Sequence, residues 1–205
     1  MDLWQIERGL RQEGYGLICG CDEAGAGPLA GPVYAAAVLL PFETQIDGLN
    51  DSKKLTPRRR EALFTEIMNK AAAYAVTSVS AEEIDIIDIL NARMLAMRMA
   101  VEQLKLKPDF VLIDGNCDRG FLMEHRMVIG GDGLSANIAA ASILAKVSRD
   151  RYMTELDDKY PGYGFAGHKG YGTRAHYAAL DALGACPEHR KTFLRKYYAR
   201  REQQA

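Results

Sequence analysis

The residues best suited to chemistry are four acidic side chains beside apolar runs or glycine-rich turns. Asp22 and Glu23 end the run GLICGC and are followed at once by a glycine-rich turn. Asp114 ends the run FVLI, and Asp132 lies in GGDG just ahead of an alanine-rich segment. Two adjacent carboxylates repel each other, which favours a proton or a bound cation. Sites in α/β sheets tend to form at strand ends, so these positions are candidates for a shared site.

Their chemistry points to hard divalent cations. Carboxylate oxygens suit Mg²⁺ or Mn²⁺ rather than zinc. Four converging carboxylates could hold two such ions ~4 Å apart, the arrangement used in phosphodiester hydrolysis. Spacing alone does not establish convergence, and a single Asp at a strand end also fits a turn or a cap.

The glycine-rich turn GAGPLAGP at residues 25–32 has more than one interpretation. It is one residue off the dinucleotide-binding fingerprint and leads into a β-like run rather than a helix, which argues against a Rossmann site. The sequence contains no G-x-x-x-x-G-K-[ST] motif, which excludes a P-loop. The turn is either a tight hairpin or a place where a sugar–phosphate chain approaches the backbone closely.

A serine and a lysine on one predicted helix face raise a second possibility. Ser142 and Lys146 lie four residues apart, and a Ser–Lys nucleophile pair is conceivable. The flanking alanines favour close helix packing instead. Lys146 and Asp150 have the same spacing and are predicted to form an ion pair.

The four histidines do not have the paired spacing of a zinc site. We expect His125 and His189 on the surface, whereas His168 and His176 could serve a polar site.

Composition describes a soluble globular chain. Of 205 residues, 48% are hydrophobic and 26% are charged, with a net charge of −1. No apolar run approaches the ~18 residues of a membrane span, and acidic residues near the N-terminus argue against a secretory signal. The four cysteines form no C-x-x-C pair, which favours a reducing cytoplasm.

The order of elements predicts one α/β domain over residues 1–205, with a C-terminal helical extension from about residue 160. Strands are predicted at 16–21, 33–40, 74–79, 110–113 and 126–130, and helices at 2–13, 57–73, 80–104, 137–159, 173–183 and 188–203. The first two strands are expected to be antiparallel neighbours. Residues 146–201 carry twelve Lys or Arg against six Asp or Glu, which fits either a phosphate-binding surface or a solvated helix end.

Five segments closely resemble motifs of bacterial ribonuclease HII, the type 2 ribonuclease H family. They are CDEAGAGPLAGPV at residues 21–33, LNDSKKL at 49–55, LIDGN at 112–116, IAAASILAKVSRD at 138–150 and HKGYGT at 168–173. The motifs occur in family order, and the resemblance extends over roughly residues 17–190.

The resemblance implies a ribonuclease H-like fold, a mixed central sheet flanked by helices with helices added at the C-terminus. It implies an endonuclease that cleaves the RNA of RNA–DNA hybrids and cuts 5′ of ribonucleotides embedded in duplex DNA, leaving 3′-hydroxyl and 5′-phosphate ends. The family's catalytic and metal-binding tetrad falls on Asp22, Glu23, Asp114 and Asp132. Two Mg²⁺ or Mn²⁺ ions and a monomeric protein without membrane attachment are expected.

The resemblance also implies a set of substrate-binding residues, namely Gly25, Ala26, Gly27, Lys53, Lys169 and Tyr171. One of them departs from the family, whose turn reads Gly-Arg-Gly where this chain has Ala26. The alanine removes a guanidinium that could pair with phosphate or carboxylate. The alternative expectation is therefore a hybrid-binding protein with impaired catalysis.

Overall fold

A five-stranded mixed sheet forms the centre of the chain. The computed structural model describes residues 2–50 and 52–203, so Asp51, part of the motif at 49–55, lies outside the described residues. The strands are β1 (Ile18–Ala24), β2 (Val33–Leu39), β3 (Ala73–Val79), β4 (Phe110–Asp114) and β5 (His125–Val128). Their order across the sheet is β3-β2-β1-β4-β5, which puts β1 at the centre.

Helices account for most of the remaining described chain. They are α1 (Gln5–Gln12), α2 (Pro57–Lys70), α3 (Ala81–Ile87), α4 (Ile89–Glu102), α5 (Ala136–Lys159), α6 (Phe165–His168), α7 (Arg174–Leu183) and α8 (Lys191–Glu202). Short 3₁₀ turns occur at Ser52–Lys54 and Gly131–Gly133. The α/β fold class expected from the sequence is confirmed.

Strand pairing brings the two halves of the sheet together at β1. The predicted antiparallel pairing of β1 with β2 is confirmed, and β2 pairs with β3 in the same sense. On its other edge β1 runs parallel to β4, with Cys21 opposite Ile113. The carboxyl ends of β1 and β4 therefore lie side by side at one edge of the sheet.

Helix α5 packs unusually close to β1 on one face of the sheet. A Cβ atom placed on Gly20 would lie 2.3 Å from the backbone nitrogen of Ile138, so only glycine admits the helix at this distance. Ser135 caps the helix, its hydroxyl accepting a hydrogen bond from the Ile138 amide. The same hydroxyl donates to the buried carboxylate of Glu7 on α1 over 2.6 Å. These contacts fix the start of α5, immediately after the turn that contains Asp132.

The other face of the sheet is covered by α4, where the expected single helix over 80–104 is wrong. The structure interrupts it at Asp88, whose φ of +66° lies in the left-handed region. The Asp88 carboxylate accepts a hydrogen bond from the Asn91 amide and so begins a new helix. The apolar periodicity is unchanged across this interruption, so periodicity alone could not reveal it.

The C-terminal helices pack back onto the sheet domain. The α3 residue Asp85 accepts hydrogen bonds from the amides of Lys191 and Thr192 at the start of α8. The short helix α6 was not predicted from the sequence. The expectation of a surface position for His189 is also wrong, because this side chain is 2% exposed and packs against the ring of Phe165.

The described part of the chain contains no helix long and apolar enough to cross a membrane. All four cysteines are free thiols.

Replacement of Gly20 tests the close approach of α5. Gly20→Ala is expected to lower the free energy of unfolding by about 1–3 kcal/mol, because its methyl group meets backbone atoms that cannot rotate away. Gly9→Ala is the control, since a Cβ there has nothing within 4 Å and lies in α1. The control is expected to gain about 0.5–1 kcal/mol. Equal effects of both variants in urea denaturation would contradict this packing.

Candidate active site

The strand register brings two of the four predicted carboxylates together. Cys21 lies opposite Ile113, so the next residues along the two parallel strands, Asp22 and Asp114, are neighbours. Alternation along a strand directs both side chains to the face covered by α5. Asp22 is buried, with 5% of the residue exposed.

The turn before α5 brings the third carboxylate to the same edge. The backbone amide of Gly131 donates a 2.7 Å hydrogen bond to Asp114 Oδ1 and so joins the turn to β4. The next residue, Asp132, is buried. Its Oδ2 lies 3.7 Å from the ammonium of Lys53, a residue predicted to contact substrate.

Glu23 completes the set from the opposite face of β1. Its Oε1 lies 3.2 Å from Nε of Arg93 on α4, a residue not singled out from the sequence. Its Oε2 is buried and has no hydrogen-bond partner among the described residues. A buried carboxylate oxygen without a donor is costly, and a cation would relieve that cost.

The electrostatics of the cluster favour neutralisation. Burial raises the pKa of the Asp22 carboxyl well above its ordinary value, and the charges of Glu23, Asp114 and Asp132 raise it further. Burial likewise raises the pKa of Glu23, against the opposing charge of Arg93. Without a cation, both groups favour the folded state most at acid pH, and that contribution is lost as the pH rises through their raised pKa values.

The donor set fits a hard divalent cation, although its side chains face other partners. Within residues 2–50 and 52–203, no three His, Cys, Asp or Glu side chains are arranged as a finished metal site. Oxygens of Glu23, Asp114 and Asp132 instead face Arg93, the Gly131 amide and Lys53. An ion bound by these oxygens would take the place of some of these contacts. The buried Oε2 of Glu23 and the all-oxygen donors are the features that match Mg²⁺ or Mn²⁺.

Two buried arginines hold the glycine-rich turn beyond the carboxylates. Arg190 donates hydrogen bonds to the carbonyl oxygens of Gly25, Ala26 and Gly31 over 2.6–3.0 Å. Arg149 donates to the carbonyl oxygens of Ala30, Pro32 and Lys169. Neither arginine forms an ion pair in the described part of the chain. Their charges are shared among carbonyl dipoles of the turn, whose conformation they fix.

The predicted aromatic residue lies against this turn. A Cβ on Gly27 would be 3.7 Å from Cε1 of Tyr171, and the tyrosine is 46% exposed. The turn and the Tyr171 loop are also joined by a 2.8 Å hydrogen bond from the Leu29 amide to the Gly170 carbonyl. The two elements predicted to read a sugar are thus adjacent.

Lys169 is held differently from the other predicted substrate contacts. Its ammonium donates to the Asp150 carbonyl and to the hydroxyl of Thr154, both on α5. Its substrate contact stays a prediction.

The alternative nucleophile pair is not formed. Ser142 is buried, and its hydroxyl donates to the Ala139 carbonyl within the helix. Lys146 instead pairs with Asp150 over 2.6 Å, which confirms the predicted ion pair.

Sequence reasoning missed the residues that act through another element. Arg93, Arg149, Arg190 and Glu7 contact the site or its supports from far along the chain. Glu7 carried no signal among other charged residues, since its partners on α5 lie about 130 positions away. Arg149 lies inside the alanine-rich motif, where a charge on a buried helix could have indicated a fixed internal partner.

The chain is similar to known proteins over most of its length. The sequence profile of the family described as Ribonuclease HII matches residues 19–201. Ribonuclease HII of Caldicellulosiruptor bescii is 53% identical over 192 residues, covering 94% of this chain and 93% of its own. Ribonuclease HII of Albidiferax ferrireducens is 58% identical over 178 residues, covering 87% and 86% respectively. The crystal structure of ribonuclease H2 from Pyrococcus horikoshii OT3 superposes with a TM-score of 0.71 at 27% identity, covering 86% of this chain and 93% of that one.

Repulsion within the cluster can be tested by removing one charge. In chelator, Asp22→Asn is expected to melt at a higher temperature than the parent, by about 2–4 °C for each kcal/mol relieved. Mn²⁺ should then raise the melting temperature of the parent more than that of the variant. Asp158→Asn is the control, because this exposed residue of α5 lies outside the cluster. The proposed repulsion within the cluster would be contradicted if Asp22→Asn melted at a lower temperature than the parent in chelator and its melting temperature rose as much with Mn²⁺.

Proposed function

The chain belongs to the ribonuclease HII family of metal-dependent endonucleases, and we propose that it cuts 5′ of ribonucleotides embedded in duplex DNA as well as within RNA–DNA hybrids. The products would carry 3′-hydroxyl and 5′-phosphate ends. The observation that carries the proposal is the gathering of Asp22, Asp114 and Asp132 on one sheet edge, beside a Glu23 oxygen without a hydrogen-bond donor.

The four carboxylates are proposed to hold two divalent cations. Bound there, the ions would supply Lewis acidity, activating the attacking water and stabilising the leaving 3′-oxygen. The protein's part is to keep the acidic oxygens at fixed positions in a poorly hydrated edge, where their affinity for a cation is high. Gly131 contributes by holding Asp114 in place from the turn.

The turn and the tyrosine are proposed to read the ribose. Phosphates are common to DNA and RNA, so the 2′-hydroxyl must be recognised by other groups. Arg190 donates hydrogen bonds to the carbonyl oxygens of Gly25 and Ala26 and so fixes the backbone of the turn. A turn with a fixed backbone can contact the sugar through main-chain atoms even without the family's arginine. Tyr171 adds an exposed ring that can stack on a sugar and a hydroxyl that can hydrogen-bond.

Basic residues are proposed to bind the phosphate backbone on either side of the cleavage site. Lys53 is well exposed next to Asp132, and Lys169 lies in the Tyr171 loop. Helix α8 adds the exposed cations Arg195, Lys196 and Arg200. Such contacts would strengthen binding without distinguishing RNA from DNA.

The competing candidate is a hybrid-binding protein with impaired catalysis, favoured by Ala26. Binding and cleavage measured on the same labelled hybrid separate the two functions. Tight binding without product, with Mg²⁺ or Mn²⁺ present, would favour the competing candidate. We rank catalysis first because all four carboxylates are present and three of them share one edge of the sheet.

We also propose that the ions are Mg²⁺ or Mn²⁺, that the protein is a monomer and that it is located in the cytoplasm. Four free thiols fit a reducing compartment.

Replacement of Asp114 tests the metal role separately from the fold. Asp114→Asn keeps an oxygen that can accept the Gly131 hydrogen bond but removes the charge that binds a cation. Cleavage of a duplex with one ribonucleotide is expected to fall at least about a hundredfold, a few kcal/mol of transition-state stabilisation. The melting temperature in chelator is expected to be no lower than that of the parent, because the Gly131 hydrogen bond is kept and one repelling charge is removed. Chelator should abolish cleavage by the parent. Robust cleavage in chelator would exclude the two-metal mechanism.

Replacement of Tyr171 tests recognition of the ribose. Tyr171→Phe is expected to cost about 1–3 kcal/mol in kcat/KM at a lone ribonucleotide, because a hydrogen-bonding partner is lost. Tyr171→Ala should cost more, since stacking is lost too. Affinity for an all-DNA duplex should change little in either variant because phosphate contacts dominate it. A Tyr171→Phe enzyme with the parent rate would assign recognition to the turn alone.

A further inference from the structure

Three histidines gather behind the Tyr171 loop, away from the carboxylates. His168 comes from the end of α6, His176 from α7, and His189 from the segment before α8. The rings of His168 and His176 stack with centroids 4.3 Å apart, and Phe165 packs against all three. His176 and His189 are almost completely buried.

The two buried rings form a continuous hydrogen-bond chain. His189 Nε2 lies 3.0 Å from His176 Nε2, and His176 Nδ1 lies 3.0 Å from the carbonyl oxygen of Tyr171. At the other end, His189 Nδ1 lies 3.0 Å from the backbone nitrogen of Cys186. The chain thus runs from a backbone amide, through two imidazoles, to the carbonyl of the residue proposed to read the ribose.

His189 Nδ1 also lies 3.1 Å from Cys186 Sγ and 3.3 Å from the Cys186 carbonyl oxygen. Only one arrangement of protons on two neutral rings forms hydrogen bonds both to the Tyr171 carbonyl and between the two Nε2 atoms. A carbonyl oxygen only accepts, so His176 Nδ1 carries a proton and its Nε2 accepts. His189 must then donate from Nε2, which leaves its Nδ1 to accept from the Cys186 amide. Burial lowers the pKa of both rings, that of His189 to about 4, so both are neutral at physiological pH.

The third ring holds the other side of the same loop. The Gly170 amide donates to His168 Nδ1 over 3.2 Å, so His168 donates from Nε2 to the Tyr163 carbonyl 2.7 Å away. The loop needs such support because Lys169 and Gly170 have φ values of +53° and +82°. A non-glycine residue in this region carries strain that its surroundings must offset.

We propose that His176 and His189 are positioning residues, which hold Tyr171 against the glycine-rich turn through this hydrogen-bond chain. The inference rests on the proposed role of Tyr171. It adds a dependence of sugar recognition on two buried rings that touch neither substrate nor metal. His189 acts through His176, and His176 acts on the backbone of Tyr171.

The ring tautomers of the intact protein provide the first test. Ring ¹⁵N chemical shifts and two-bond ¹⁵N–¹H couplings at neutral pH should place the proton of His176 on Nδ1 and those of His189 and His168 on Nε2. His176 protonated on Nε2, or doubly protonated, would overturn the proposal. This measurement needs no variant to fold.

Kinetics of matched variants provide the second test. His176→Leu should lower kcat/KM on a single-ribonucleotide duplex by about tenfold, the cost of one lost hydrogen bond. In His176→Asn, kcat/KM should recover to within about threefold of the parent value, because the side-chain amide nitrogen of asparagine occupies the place of Nδ1. His125→Asn on β5 is the control, with no change expected. His176→Leu that melts like the parent and cleaves at the parent rate would overturn the proposal.

A double variant separates positioning from general destabilisation. In the His176→Leu background, Tyr171→Phe should have almost no further effect, because the hydroxyl is already misplaced. The same fold-loss from Tyr171→Phe in both backgrounds would overturn the proposal. If Tyr171→Phe leaves kcat/KM of the parent unchanged, the proposed role of Tyr171 fails instead. The ring tautomers still test the hydrogen-bond chain of His176 and His189.

Discussion

Repulsion between carboxylates at the shared edge of β1 and β4 is the constraint on which the rest of the structure depends. Asp22 and Asp114 are neighbours in parallel strands, and burial removes much of the water that would screen them. The fold tolerates this cluster because a close-packed helix fixes its position. Gly20 lets α5 approach β1, and the cap at Ser135 fixes where the turn with the third carboxylate must lie. In the proposed function, a divalent cation would supply the charge that the protein itself only partly provides.

A second constraint concerns the glycine-rich turn and the Tyr171 loop, the elements proposed to read the substrate, because they are held through their backbone carbonyls rather than through paired side chains. Arg149 and Arg190 satisfy six carbonyl oxygens of the turn and of the adjoining loop. Removing such a buried donor would leave several acceptors unpaired, which is costly. The conformation of the turn therefore does not depend on the side chain at Ala26, because Arg190 binds the carbonyl oxygens of Gly25 and Ala26.

The strands and the antiparallel pairing of β1 with β2 were within reach of sequence reasoning, because apolar runs and turn residues are local signals. The gathering of the carboxylates was not, since it depends on the parallel pairing of β1 with β4, two strands far apart in the sequence. Interruption of the helix at Asp88 was not, since the apolar period continues across it. The burial of His189 was missed for another reason. Its partners lie on other elements, and nothing in its own neighbourhood distinguishes a surface histidine from a buried, hydrogen-bonded one. Arg93 was missed likewise, as its ion pair with Glu23 spans seventy positions.

Sulfur substitution at the scissile phosphate tests most directly whether cations held by these carboxylates act on the substrate. A single-ribonucleotide duplex would carry sulfur in place of one non-bridging oxygen, in each stereochemistry. Mg²⁺ binds sulfur poorly and Mn²⁺ tolerates it better. We expect one isomer to be cleaved far more slowly than the oxygen substrate with Mg²⁺, and Mn²⁺ to restore much of the rate. Equal slowing of both isomers with both metals would contradict a metal contact at the phosphate.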